Sequence, residues 1–220
     1  DRFATLAPIA AVLLFFTAIA FSFWYLRVEE IDREQEAVKR DVEYSQQRLR
    51  LRLLERQEQI MRLARDISNK DVDTKEFSRR AETLVMKNPE LQTLAWVDDQ
   101  RKILAIQTTP SALINQKWRV GEVLKWGESE NSYTLARDLM QPIYSQEDDG
   151  SLSTGNNSTG QENFIKNEVL QLHTPLTNAQ GRFNGVIMAE YAVESLLRYG
   201  VPSEISAKYA VSLLDSDGNI

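Results

Sequence analysis

No cysteine occurs anywhere in the 220 residues. Disulfide bonds, thiolate metal centres and a cysteine nucleophile are therefore excluded. Histidine is almost as scarce. His173 is the only one, and no partner lies at metal-ligand spacing from it. Neither a P-loop nor a glycine-rich dinucleotide fingerprint is present. Ser and Asp are plentiful, but without a nucleophile motif around them they carry no chemistry. The phospho-accepting His and ATP-binding motifs of a kinase are missing as well. These residues thus predict no catalytic set, no cofactor and no metal. Basic residues are outnumbered, 26 Lys and Arg against 32 Asp and Glu, a balance that argues against nucleic acid as a partner.

What is present begins with an apolar run. Residues 6–26, LAPIAAVLLFFTAIAFSFWYL, contain no charge. As a helix they extend about 31 Å, close to the hydrocarbon thickness of a bilayer. Eleven of them are Leu, Ile, Val or Phe, and together these favour insertion by about 3 to 7 kcal/mol. Trp24 and Tyr25 fall at the exit, where amphipathic aromatics hold the interface. A membrane helix is expected, preceded by a flank at 1–5. Ala18-Ile19-Ala20 has the look of a signal-peptide cleavage site, but the apolar run continues past it. Arg27, Arg33, Lys39 and Arg40 follow the span, so the positive-inside rule by itself would place the C-terminal side in the cytoplasm. Long domains, however, translocate largely regardless of charge.

Residues 27–68 hold neither Gly nor Pro. Val28, Ile31, Val38, Val42, Leu49, Leu53, Ile60, Leu63 and Ile67 recur at spacings of 3, 7, 4, 7, 4, 7, 3 and 4. That is a heptad seam on a stalk helix about 60 Å long. It suits packing on the chain's own domain, pairing with a second copy, or both.

A smaller α+β module is expected over 69–200. A short helix with Phe77, Ala81, Leu84 and Val85 on its apolar face should stop at Asn88-Pro89. TLAWVDDQRKILAIQT reads as a hairpin. SYTLARDLMQPIYSQ predicts a helix ended near Pro142 and then a short strand. Residues 145–163 are almost wholly polar and predict a surface loop, with N-x-[ST] patterns at Asn156 and Asn157. Glu128, Glu130, Glu147, Asp148 and Asp149 belong to the same solvated region and suit it better than a cation site. A second hairpin follows, NEVLQLHTPL and GVIMAEY about a turn with Gly181 and Gly185, and its last strand passes into a helix. Strands adjacent in sequence and joined by turns make an antiparallel sheet, with the long helix on one face.

The membrane helix, the stalk, LAWVDDQRKILA, LQLHTPLTNAQGRFNGVIMAEYAVESLL and the final YAVSLLDSDGNI together resemble the extracytoplasmic Cache sensor family, whose modules are PAS-like. In the tail, Asp215 and Ile220 repeat the spacing of Asp98 and Ile103. The resemblance makes 201–220 the opening of a second module in a tandem sensor, and the chain a fragment of a longer protein. It also implies that one sheet face packs on helices while the other lines a ligand pocket. Trp96, Arg137, Tyr144, His173 and Tyr191 are the residues expected there: an Arg fork for carboxylate and aromatic walls, suited to a small anion with an apolar body. Each also fits a plainer role, as core aromatic, edge-strand histidine or surface arginine. By resemblance the parent is a two-component sensor histidine kinase of the bacterial inner membrane. It would be a homodimer through the stalk, with residues 27–220 in the periplasm. A chemoreceptor, a diguanylate cyclase or a tethered coiled-coil protein without ligand are the alternatives.

Overall fold

The computed structural model describes residues 2–110, 118–124, 130–148 and 168–213. The chain divides into two units, Asp1–Gln47 and Arg48–Ile220. A helix, α1, runs from Arg2 to Ser68 and contributes to both.

In the first unit α1 presents Leu13, Leu14, Phe15, Phe16, Phe21 and Phe23 to its surroundings. The hydroxyl of Thr17 donates to the carbonyls of Leu13 and Leu14, at 3.0 and 2.9 Å, so this polar group is satisfied inside the helix. Among the described residues no helix is long and apolar enough to cross a membrane. Side chains 6–12 of the expected span lie outside the described ones.

The second unit is α+β. Helix α2, Thr74–Lys87, is started by Asp73, whose carboxylate accepts from the Glu76 amide at 2.8 Å. Phe77, Ala81 and Val85 are its buried face, as the apolar spacing predicts, and Asn88 caps its end. Five strands follow: β1 Leu91–Val97, β2 Ile103–Thr108, β3 Ile143–Asp148, β4 Glu168–Thr177 and β5 Phe183–Ala192. Helix α3, Glu130–Leu139, precedes β3, and the short helices α4 Val193–Gly200 and α5 Ser203–Ser206 follow β5. Every pairing is antiparallel and the strand order is β2-β1-β5-β4-β3.

The expected surface loop over 145–163 is corrected at its start. Residues 145–148 complete β3 and pair with β4 as far as Asp148↔Glu168. A neighbouring ladder supplies backbone partners that composition cannot reveal. Residues 149–163, with Asn156 and Asn157, lie outside the described ones, as do Glu128 and the tail from 214.

Two cores sandwich the sheet. On one face Leu91, Leu94, Leu172, Ile187, Ala189 and Tyr191 pack against Ile60, Leu63, Ala64 and Ile67 of α1 and Phe77 and Ala81 of α2. Burying Phe77 alone contributes roughly 2 to 3 kcal/mol. Leu49 and Leu53 pack against the same core, so this half of the heptad seam is used inside the chain. On the other face Ala95, Val97, Ile103, Val186 and Met188 pack with Trp118, Leu124 and Tyr133.

The β1–β2 and β4–β5 turns share one bonding pattern. Asp98 Oδ1 accepts from the amides of Gln100 and Lys102, and Asn178 Oδ1 from those of Gln180 and Arg182. The fourth residue of each is left-handed, Arg101 at φ 67° and Gly181 at φ 73°.

Candidate functional site

The strand register divides the five residues expected at a site. Trp96 aligns with Ile187, Tyr144 with Leu172, and Tyr191 with Leu91 and Leu170, which places all three on the face covered by α1 and α2. Trp96 stacks on Phe77 with ring centroids 5.8 Å apart. The Tyr144 hydroxyl reaches the Leu53 carbonyl of α1 at 3.4 Å, and burial raises it to about 12. Tyr191 is fully buried and its hydroxyl is pushed up, first by burial. The Trp96 indole N–H and the Tyr191 hydroxyl have no hydrogen-bond partner among the described residues.

His173 pairs with Met188 and Ile143 and faces the opposite side. It is fully buried, and burial pushes its imidazole down to about 4, so the ring is neutral at ordinary pH. Arg137 lies on α3, exposed and paired with the adjacent Asp138 at 2.8 Å. The structure therefore brings Trp96, Tyr144 and Tyr191 to one face and leaves His173 and Arg137 apart from them.

On the His173 face the register assembles a different set. Thr108 of β2 aligns with Thr93 of β1, Thr93 with Glu190 of β5, Glu190 with Gln171 of β4, and Gln171 with Ser145 of β3. One polar side chain from every strand thus forms a row across the whole sheet. Its centre is bonded: Glu190 Oε1 accepts from Gln171 Nε2 at 3.0 Å and from the indole Nε1 of Trp118 at 3.2 Å. At its ends, the buried hydroxyls of Thr108 and Ser145 have no partner among the described residues. The adjoining row, Ile106, Ala95, Met188, His173 and Ile143, is apolar except for the histidine.

The row sets hydroxyl and amide groups around a carboxyl, beside an apolar floor. Sequence reasoning missed this row. Its signal was a lone polar residue inside an apolar strand, Gln171 between Leu170 and Leu172 and Glu190 between Ala189 and Tyr191. Alternation set Gln171 beside His173, but the alignment of five strands appears only with the pairing. Tyr133 of α3 borders the same face. Its hydroxyl donates to the Asp98 carbonyl at 3.2 Å and is raised to about 12, mainly by burial. The Arg101 guanidinium lies 5.5 Å from its ring centre. Among the described residues no group of three or more His, Asp or Glu could hold a metal.

No family model matches the chain, and no curated protein matches it. Solved structures do. The ligand-binding domain of the Pseudomonas aeruginosa amino-acid chemoreceptor PctC, in complex with GABA, is similar at 14% identity and TM-score 0.45 over 66% of this chain and 55% of its own. The ligand-binding domain of the Campylobacter jejuni chemoreceptor Tlp3, in complex with L-valine, is similar at 11% identity and TM-score 0.47, over 74% and 62%. The extracellular domain of a protein named as a histidine kinase is similar at 14% identity and TM-score 0.40, over 62% and 48%. The chain thus spans about half to three-fifths of each.

Proposed function

We propose that the chain is the extracytoplasmic sensing region of a bacterial membrane signalling protein. The observation that carries this reading is the polar row Thr108, Thr93, Glu190, Gln171 and Ser145 on the sheet face turned away from α1. A small molecule bearing hydrogen-bond donors, such as an amine or a polyol, complements a carboxyl flanked by hydroxyls. A bare anion does so less well, because Glu190 stands at the centre and Arg137 is turned to solvent against Asp138. His173 belongs to the floor of this site.

Trp96, Tyr144 and Tyr191 act on the other face. They hold the sheet against α1 and α2, so a ligand that shifts the strands also biases the long helix. The shift is limited by the ligand's differential affinity for the two arrangements, a factor of ten for about 1.4 kcal/mol. In this reading residues 6–26 cross the inner membrane, 27–68 form the stalk, 69–200 the periplasmic PAS-like module, and 201–220 open a second one. The parent pairs as a homodimer through the stalk. Its output is a histidine kinase, with a chemoreceptor as the alternative.

Thermal unfolding in the presence of amino acids, polyamines, polyols and dicarboxylates tests the site. A compound that raises the melting temperature of the wild type, but not of Glu190→Gln or Thr108→Val, supports it. Equal shifts in wild type and variants would sink the assignment of this face.

A further inference from the structure

The centre of the polar row is held by a side chain from outside the five strands. Trp118 donates its indole Nε1 to Glu190 Oε1 at 3.2 Å, and Gln171 Nε2 donates to the same oxygen at 3.0 Å. A carboxylate oxygen offers about two lone-pair sites, so these donors fill Oε1. The Trp118 ring is 6% exposed and belongs to one core with Ala95 and Met188, the apolar residues beside the row. One side chain thus makes a hydrogen bond to the carboxyl and covers part of the floor. The two donors are held differently. Gln171 is fully buried on β4, which is paired along both edges. Trp118 precedes a turn over 119–122, closed by the Glu122 amide on the Arg119 carbonyl at 3.1 Å, with Gly121 at φ 87°. That turn is fastened to the start of β2. The Ile103 amide donates to the Glu122 carbonyl at 2.9 Å, and the amides of Gly121 and Leu124 donate to the Ile103 and Arg101 carbonyls at 2.8 and 2.9 Å. The indole can therefore swing away with 121–124 still anchored, while Gln171 stays in the row.

We propose that Trp118 is an internal competitor at the sensing face, holding Glu190 Oε1 and covering the floor until a ligand takes over both contacts. The inference rests on the reading of that face as the sensing site. It assigns selectivity as well as threshold. A neutral ligand donor, such as a hydroxyl, replaces the indole N–H with a bond of the same kind and gains little at this oxygen. An ammonium group makes a charge-assisted bond, roughly twice as strong as a neutral one. Trp118 thus favours amines over alcohols of the same length. It also weakens binding of every ligand, because apparent affinity scales with the fraction of molecules in the competent arrangement. Displacement has a structural consequence too. Through Trp118, residues fastened to β2 reach across β1 to Glu190 of β5. A ligand that frees the indole releases this tie between the strands.

The full chain is titrated with linear butanediamine and, as its uncharged counterpart, butanediol, and thermal unfolding is followed. Trp118→Phe keeps a ring over the floor and removes the donor. It should respond to the diamine at a severalfold lower half-saturating concentration than the wild type. It should also respond to the diol, which leaves the wild type unmoved. A tryptophan with a packing role alone gives the opposite sign, weaker binding in the variant. Unchanged or weaker binding by Trp118→Phe, or no response of either protein to either compound, would overturn the proposal; the wider panel of compounds still judges the face itself. Glu190→Gln separates the two further. If it abolishes the diamine response while Trp118→Phe leaves that response unchanged, the face stands and the competitor falls. If the response survives Glu190→Gln, both fall. A second readout needs no stable variant at 118. In the chain labelled with fluorotryptophan, the Trp118 resonance, identified by replacing the other tryptophans in turn, should move furthest as the diamine is added. A resonance that stays in place counts against displacement.

Discussion

His173 should make the fold acid-sensitive at a pH where few proteins are. Its ring is fully buried, and burial holds its folded pKa at about 4, whereas an unfolded histidine titrates near about 6.5. Between these values the unfolded chain binds more protons than the folded one. Stability therefore rises with pH across this window and is lost as pH falls from about 6.5 towards about 4. At about 1.36 kcal/mol per pH unit, lowering the pH from about 7 to about 5 costs about 2 kcal/mol, and the full loss is about 3 kcal/mol. That is a large share of a typical stability of about 5 to 15 kcal/mol. Glu90 responds lower. Burial alone would raise its carboxyl, but hydrogen bonds from Arg52, the backbone and Arg56 outweigh this and depress it. Its contribution is present above the ordinary carboxyl pKa and disappears only as pH falls through the depressed value. Urea unfolding followed by tryptophan fluorescence at the two pH values separates the effects. The wild type should lose about 2 kcal/mol, and His173→Gln should lose little, whatever its stability at neutral pH. An equal loss in both proteins would refute the assignment of the slope to this ring.

Other substitutions probe the frame. Glu90 is closed to solvent, and Arg52 Nε and Arg56 Nε lie 2.9 and 3.1 Å from it; Arg52 also donates to the Tyr199 carbonyl at 2.6 Å. Glu90→Gln should lower stability by about 3 kcal/mol, since it leaves two partly buried guanidinium groups without their carboxylate. Glu76→Gln, which breaks the exposed pairs with Arg79 and Arg80, should change the denaturation midpoint little. Gly185 sits at φ 111°, and a methyl there would meet the Val97 carbonyl and lie 2.8 Å from the Asp98 Cα. Gly185→Ala should cost about 3 kcal/mol. Gly181→Ala, left-handed but with open space around it, should cost about 1 kcal/mol, and melting temperatures would rank the two.

Local chemistry alone foretold most elements of the fold. The absence of Gly and Pro over 27–68 leaves nothing to break that helix. The Phe77, Ala81, Leu84 and Val85 spacing and the stop at Asn88-Pro89 mark α2, and the polar turns at Asp98 and Asn178 mark two hairpins. These signals act over a few residues, so they can be read without knowing what lies across the sheet. Which face does what was another matter. Trp96, Tyr144 and Tyr191 look alike as pocket walls or as core, and only their pairing with residues under α1 decides. Likewise Thr108, Thr93, Glu190, Gln171 and Ser145 are scattered over 98 residues, from Thr93 to Glu190. They become one row because the order β2-β1-β5-β4-β3 joins the first strands to the last. Register is set by long-range backbone pairing, and a slip of one residue would turn every side chain of a strand to the other face. That is why the sequence by itself determined the elements, and the tertiary structure alone decided which side chains share a face.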